Sequence, residues 1–127
     1  MSNLIEIIEK YFDKRTNVIR EYNGRVLLGT TKFLPWYDES VVIGISYIGD
    51  SEFVIDDCHS LTDYYDVFDI DVEKIRKKFD ELTLKYQMKF DGKILWKTVI
   101  AVEEIDIINA INTFIDELFF FANLENI

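Results

Sequence analysis

The chain has 127 residues and a mass of 15.1 kDa, enough for one domain with a core of its own. A composition that is 49% hydrophobic and 15% aromatic excludes a disordered chain, and a lone cysteine, Cys58, excludes an intrachain disulfide and favours a cytoplasmic setting. The net charge of −10 is segregated, with eleven acids and no Lys or Arg from Phe33 to Glu73, which disfavours direct binding of nucleic acid because phosphates need cations.

The opening MSNLIEIIEK has neither the basic start nor the unbroken apolar run of a signal peptide. No window of about 18 residues is apolar enough to cross a bilayer, so no membrane is expected. Asn3 to Asp13 places Leu4, Ile7, Ile8, Tyr11 and Phe12 at helical spacing, with Asn3 or Ser2 as the N-cap. Thr16 to Tyr22, Asn23-Gly24 and Arg25 to Phe33 then read as a β-hairpin, because both turn positions want positive φ. Leu34 to Ser40 is a loop. Val41 to Ile48 is rich in β-branched and aromatic residues and turns at Gly49-Asp50 into Ser51 to Asp56, a second hairpin.

Two helix starts follow. Ser60-Leu61-Thr62-Asp63 has capping-box spacing, and Asp71 can cap a helix with Ile70 and Ile75 as its hydrophobic staple. Ile75, Phe79, Leu82 and Tyr86 line one face of that helix, which also carries Arg76, Lys77 and Lys78. Met88 to Phe90, Asp91-Gly92 and Lys93 to Val99 form a third hairpin. Glu104 to Leu124 is a long closing helix whose apolar stripe is wider than one core-facing side requires. Two readings account for the width: a helix buried deep against the sheet, or a homodimer seam through Ile111, Phe114, Leu118 and Phe121. The whole predicts a single α+β domain in which antiparallel hairpins form a sheet packed by helices.

The stretch FVIDDCHSLTDYY, with Thr31 and Phe33 before it and Lys77 to Tyr86 and Phe90-Asp91-Gly92 after it, resembles an uncharacterised family of phages, prophages and other mobile elements catalogued as domain of unknown function 1828. The resemblance covers roughly residues 16 to 120. It implies a mobile-element source and an α+β fold, and it implies no reaction. Cys58 stands where the family has glycine.

Two chemistries compete for the acidic stretch. Asp56, Asp57 and His59 at the end of a strand, with Cys58 as a softer ligand, could hold zinc or magnesium and centre a small metal-dependent hydrolase. In extended chain Asp57 and His59 share one side and Asp56 takes the other. No P-loop, GxGxxG or HExxH accompanies them. The alternative is display. Asp50 and Glu52, and Asp69 and Asp71, are spaced two apart, which in extended chain sets carboxylates about 6.6 Å apart on one side and can imitate a phosphate backbone. With Asp63 and Asp66, and with Trp36 and Tyr37 as aromatic anchors, they predict a non-enzymatic, cofactor-free protein. Its expected partner is a basic nucleic-acid-binding host protein, a CRISPR effector for example, which it would bind and block.

Overall fold

The computed structural model describes residues 3–126. Its first helix, α1 (Leu4–Tyr11), starts at Asn3, whose side-chain oxygen accepts the Ile5 N–H at 3.0 Å. That is ordinary N-cap chemistry. Ser2, the other capping choice, lies outside the described residues. Asn23 and Gly24, at φ of 50° and 80°, turn β1 (Val18–Tyr22) into β2 (Arg25–Phe33) as an Asn-Gly hairpin should. β3 (Ser40–Tyr47) and β4 (Glu52–Asp56) form the second hairpin. After α2 (Ser60–Val67), a 3-10 turn over Val72–Ile75 leads into α3 (Arg76–Lys85). Asp71 caps that turn by accepting the Glu73 N–H at 3.0 Å. β5 (Lys89–Phe90) and β6 (Leu95–Ile100) make the third hairpin, and α4 (Glu104–Ala122) closes the fold.

All six strands join one antiparallel sheet in the order β1-β2-β3-β4-β6-β5. The α+β architecture is therefore the expected one, with β6 inserted between β4 and β5. Strand alternation gives the sheet two unlike faces. Val26, Leu28, Ile43, Ile45, Phe53 and Ile55 are buried in a single core with the inward residues of all four α-helices. Arg25, Leu27, Val42, Val54 and Trp96 lie on the other face and stay partly exposed. No helix among the described residues is long and apolar enough to cross a membrane.

The width of the α4 stripe has an internal cause. Ile111, Phe114, Leu118 and Phe121 are fully buried inside the domain, so a homodimer seam through these four side chains is corrected: they are not at the surface. The helix is wrapped by α1 and α2 as well as by the sheet, and each neighbour needs its own row of apolar side chains. Phe121 packs edge-on against Phe79, and its carbonyl accepts the Tyr65 hydroxyl at 2.6 Å. Of the Phe119-Phe120-Phe121 triplet, Phe120 is the ring turned outward, 52% exposed and stacked on Tyr86.

Candidate functional site

The carboxylates at the end of β4 part company at once. Asp56 lies on the open face of the sheet, where its Oδ1 accepts from Arg25 Nη2 at 2.7 Å and from the Cys58 N–H at 2.9 Å. Arg25 starts β2, two strands away, and reaches Asp56 by crossing β3 at Gly44. The crossing needs glycine: a Cβ there would stand 2.4 Å from Arg25 Nη2 and 2.6 Å from Asp56 Oδ2. Burial works against the charged guanidinium, but Asp56 and the neighbouring Cys58 outweigh it and raise the Arg25 pKa.

Asp57 turns inward and is completely buried. Its Oδ1 accepts the N–H groups of His59 at 3.2 Å and Leu95 at 3.0 Å, and its Oδ2 accepts that of Leu61 at 3.2 Å. Its own N–H donates to the Leu95 carbonyl, and its own carbonyl accepts from Ser60. One side chain thus ties the end of β4 to β6 and to the first turn of α2. Burial pushes the Asp57 pKa up to about 6, against the pull of the three N–H donors. It is ionised at neutral pH.

Cys58 and His59 between strand and helix are both left-handed, with φ of 48° and 66°. Such backbone costs about 1–2 kcal/mol per non-glycine residue. It also overturns the extended reading of this stretch: Asp57 points into the core, while His59 points to solvent. Nor does Ser60 begin a capping box with Asp63. Its hydroxyl donates to the Val42 carbonyl at 2.9 Å, and the Asp57 carboxylate serves the first turn of α2 instead.

These positions test the metal reading by donor geometry. Both Asp57 oxygens are filled by backbone N–H groups, and Asp56 Oδ1 is taken by Arg25 and the Cys58 N–H; Asp56, Cys58 and His59 border one cleft of about 430 Å³ on the open face, away from Asp57. Among the described residues, no three His, Cys, Asp or Glu side chains gather where one ion could reach them. The quartet Asp56, Asp57, Cys58 and His59 does not fit a metal centre.

The acids proposed for display divide into two groups. Asp50 and Glu52 lie at the turn between β3 and β4, separated from the start of α2 by the length of β4. They stand at the far end of β4 from Asp63 and Asp66 and line neither cleft that those two acids line. Asp69 has a φ of 53° and Asp71 caps the 3-10 turn, so this pair is not an extended row of carboxylates either. The remaining acids do converge. Glu39 and Asp63 line one cleft of about 170 Å³ with Tyr37, and Asp63, Asp66 and Glu73 line a second of about 440 Å³. Asp63 is common to both, which makes an acidic strip along α2.

Tyr37 supports the strip from below. Its ring meets Tyr64 and Phe68 edge-on, and its hydroxyl donates to Glu39 at 3.1 Å. Burial, then Glu39, Asp63 and Asp38, raise the Tyr37 pKa, which places Asp38 in the same negative field. Beside it, Trp36 is 94% exposed on a left-handed residue with φ of 64°. Sequence reading named Trp36, Tyr37, Asp63 and Asp66 and missed Asp38, Glu39 and Glu73 as their companions. The proline-aromatic-acid run Pro35 to Glu39 was the available signal.

The second cleft is not purely negative, since Arg76, Lys93 and His59 complete its wall. Compared with known proteins, the chain matches no family model, no curated protein and no solved structure.

Proposed function

We propose that this is a non-enzymatic interaction protein whose acidic strip along α2 docks on a basic nucleic-acid-binding protein and blocks it. The observation that carries the reading is the juxtaposition of a fully solvated indole, Trp36, with Asp38, Glu39, Asp63 and Asp66 around the rigid Tyr37–Tyr64–Phe68 aromatic base. A large aromatic ring beside fixed negative charge suits a partner that is cationic and desolvates at its centre. The resemblance to mobile-element proteins makes host nucleic-acid machinery, a CRISPR effector among it, the proposed target. The charge field also supports fast, salt-sensitive association.

The test is capture from a bacterial host lysate on the native protein, beside Trp36→Ala and beside a variant with Asp63, Asp66 and Asp69 all changed to Asn. A nucleic-acid-binding protein should be held by the native form, released by salt and by added DNA, and lost with both variants. Retention of the same proteins by all three forms would sink the reading.

A further inference from the structure

β6 has a partner along only part of its outer edge. β5 pairs with Leu95 and Trp96 alone, through Phe90 and Lys89. The same register would set Gln87 opposite Thr98, but Gln87 has a φ of 56° in the turn after α3, and the chain leaves the sheet there. The inner edge fixes which backbone groups are left over. Asp57 N–H donates to the Leu95 carbonyl at 3.0 Å, and Ala101 N–H to the Ser51 carbonyl at 2.8 Å. In an antiparallel ladder, hydrogen-bonded pairs recur at every second residue. The odd-numbered residues of β6 therefore face β4, and Thr98 and Ile100 aim their N–H and C=O groups outward. Both are exposed, Ile100 by 69%. Lys97 to Ile100 is an open edge of roughly 13 Å, at about 3.3 Å per residue.

A groove runs beside this edge, beneath the sheet and against α4. Its first section, about 440 Å³, is lined by Val99, Ala110 and Thr113; it continues as about 430 Å³ past Thr113 to Asp116, Glu117 and Phe120. Of the α4 acids, Asp116 and Glu117 line the groove, and Lys85 and Lys97 line it too. Inside the groove, Glu117 is only 4% exposed. Its Oε1 accepts from Lys97 Nζ at 3.1 Å, while its buried Oε2 has no hydrogen-bond partner among the described residues. A buried oxygen left this way costs free energy that an incoming N–H donor would recover.

We propose that this edge is a β-augmentation site that takes an extended, cationic peptide segment of another protein as an added strand. Thr98 and Ile100 supply the backbone pairing, and a Lys or Arg of the segment turns into the groove to donate to Glu117 Oε2 beside Asp116. Exposed edges are templates of this kind unless the chain blunts them, and here a short β5 leaves four of the six residues of β6 uncovered. The site stands on observations separate from the acidic strip.

The probe is a short fluorescent peptide alternating Val and Lys, compared with one alternating Val and Glu and with a Val/Lys peptide N-methylated along one edge. The first should bind at least tenfold more tightly than the other two, shifting and protecting the Thr98 and Ile100 amides in nuclear magnetic resonance spectra. Thr98→Pro should abolish binding and Glu117→Gln should weaken it several-fold. The N-methylated peptide keeps the charge without the pairing and needs no variant to fold. Equal binding by it or by the Val/Glu peptide would overturn the proposal, as would no binding by any. So would a dimer in sedimentation that Thr98→Pro dissociates, since a second copy would then be the occupant.

Discussion

On the open face of the sheet, Asp56 answers a side-chain cation across Gly44, at a surface that water reaches. On the covered face, its neighbour Asp57 answers three backbone N–H groups, from β6, from α2 and from the turn that leads into α2, where water does not reach. The residue type is the same and the chain positions are adjacent, yet one carboxylate lies under a half-exposed guanidinium and the other holds three elements together. A strand sends consecutive side chains to opposite sides, so a run of acids is not a cluster of acids. What each carboxylate contributes is set by the donors it meets.

The largest expected difference between the two comes from truncation. Asp57→Ala strands three buried N–H donors, and at about 1–3 kcal/mol for each unsatisfied group it should destabilise the fold by at least about 3 kcal/mol. Asp56→Ala should cost about 1 kcal/mol, the value of a partly exposed ion pair. Urea unfolding of both variants measures this, and equal costs would break the contrast. The next effect is in pH. The Asp57 pKa of about 6 in the folded chain lies above the ordinary carboxylate value near 4, so the folded state binds that proton more tightly than the unfolded state. Its stabilising contribution is full below about pH 4 and is lost as pH rises through 6, by about 3 kcal/mol. Unfolding curves across that window should slope this way in the native protein, and the slope should flatten in Asp57→Asn.

Gly44→Ala sharpens the other half. The added methyl displaces the Arg25 head and breaks its pair with Asp56, for about 1 kcal/mol. In an Arg25→Ala background the same substitution should cost distinctly less, a double-mutant cycle that isolates the crossing. The smallest effect is of opposite sign. His59→Gly should stabilise by about 0.5–1 kcal/mol, because glycine adopts the left-handed backbone without strain. A loss of stability there would mean that the exposed imidazole makes a contact which its position does not suggest.

What was legible in the chain was what neighbours decide. Asn23-Gly24 turned where Asn-Gly should, Asn3 capped α1, Asp71 capped the 3-10 turn, and the α+β class followed from hairpins and helical stripes. What was illegible depends on register between distant strands. Nothing near Arg25 says that Gly44 will lie beneath it, and nothing near Asp57 says that Leu95 will complete its shell. Ser60 and Asp63 had the right spacing for a capping box, but Val42 on β3 takes the Ser60 hydroxyl. The stripe on α4 left a deeply buried helix and a homodimer seam both open, because a sequence shows how many apolar residues a helix has, not how many neighbours surround it; the burial of Ile111, Phe114, Leu118 and Phe121 fits the first.

The two tryptophans give the molecule a pair of optical reporters that do not overlap. Trp36 stands almost wholly in water, so its emission should already be that of a solvated indole and should change little when the chain unfolds. Trp96 lies half-buried against the Arg25–Asp56 side of the sheet and should shift to the red as the sheet comes apart. In Trp96→Phe, then, the fluorescence spectrum should pass through the unfolding transition nearly unchanged, and respond only when something settles over the loop that carries Trp36.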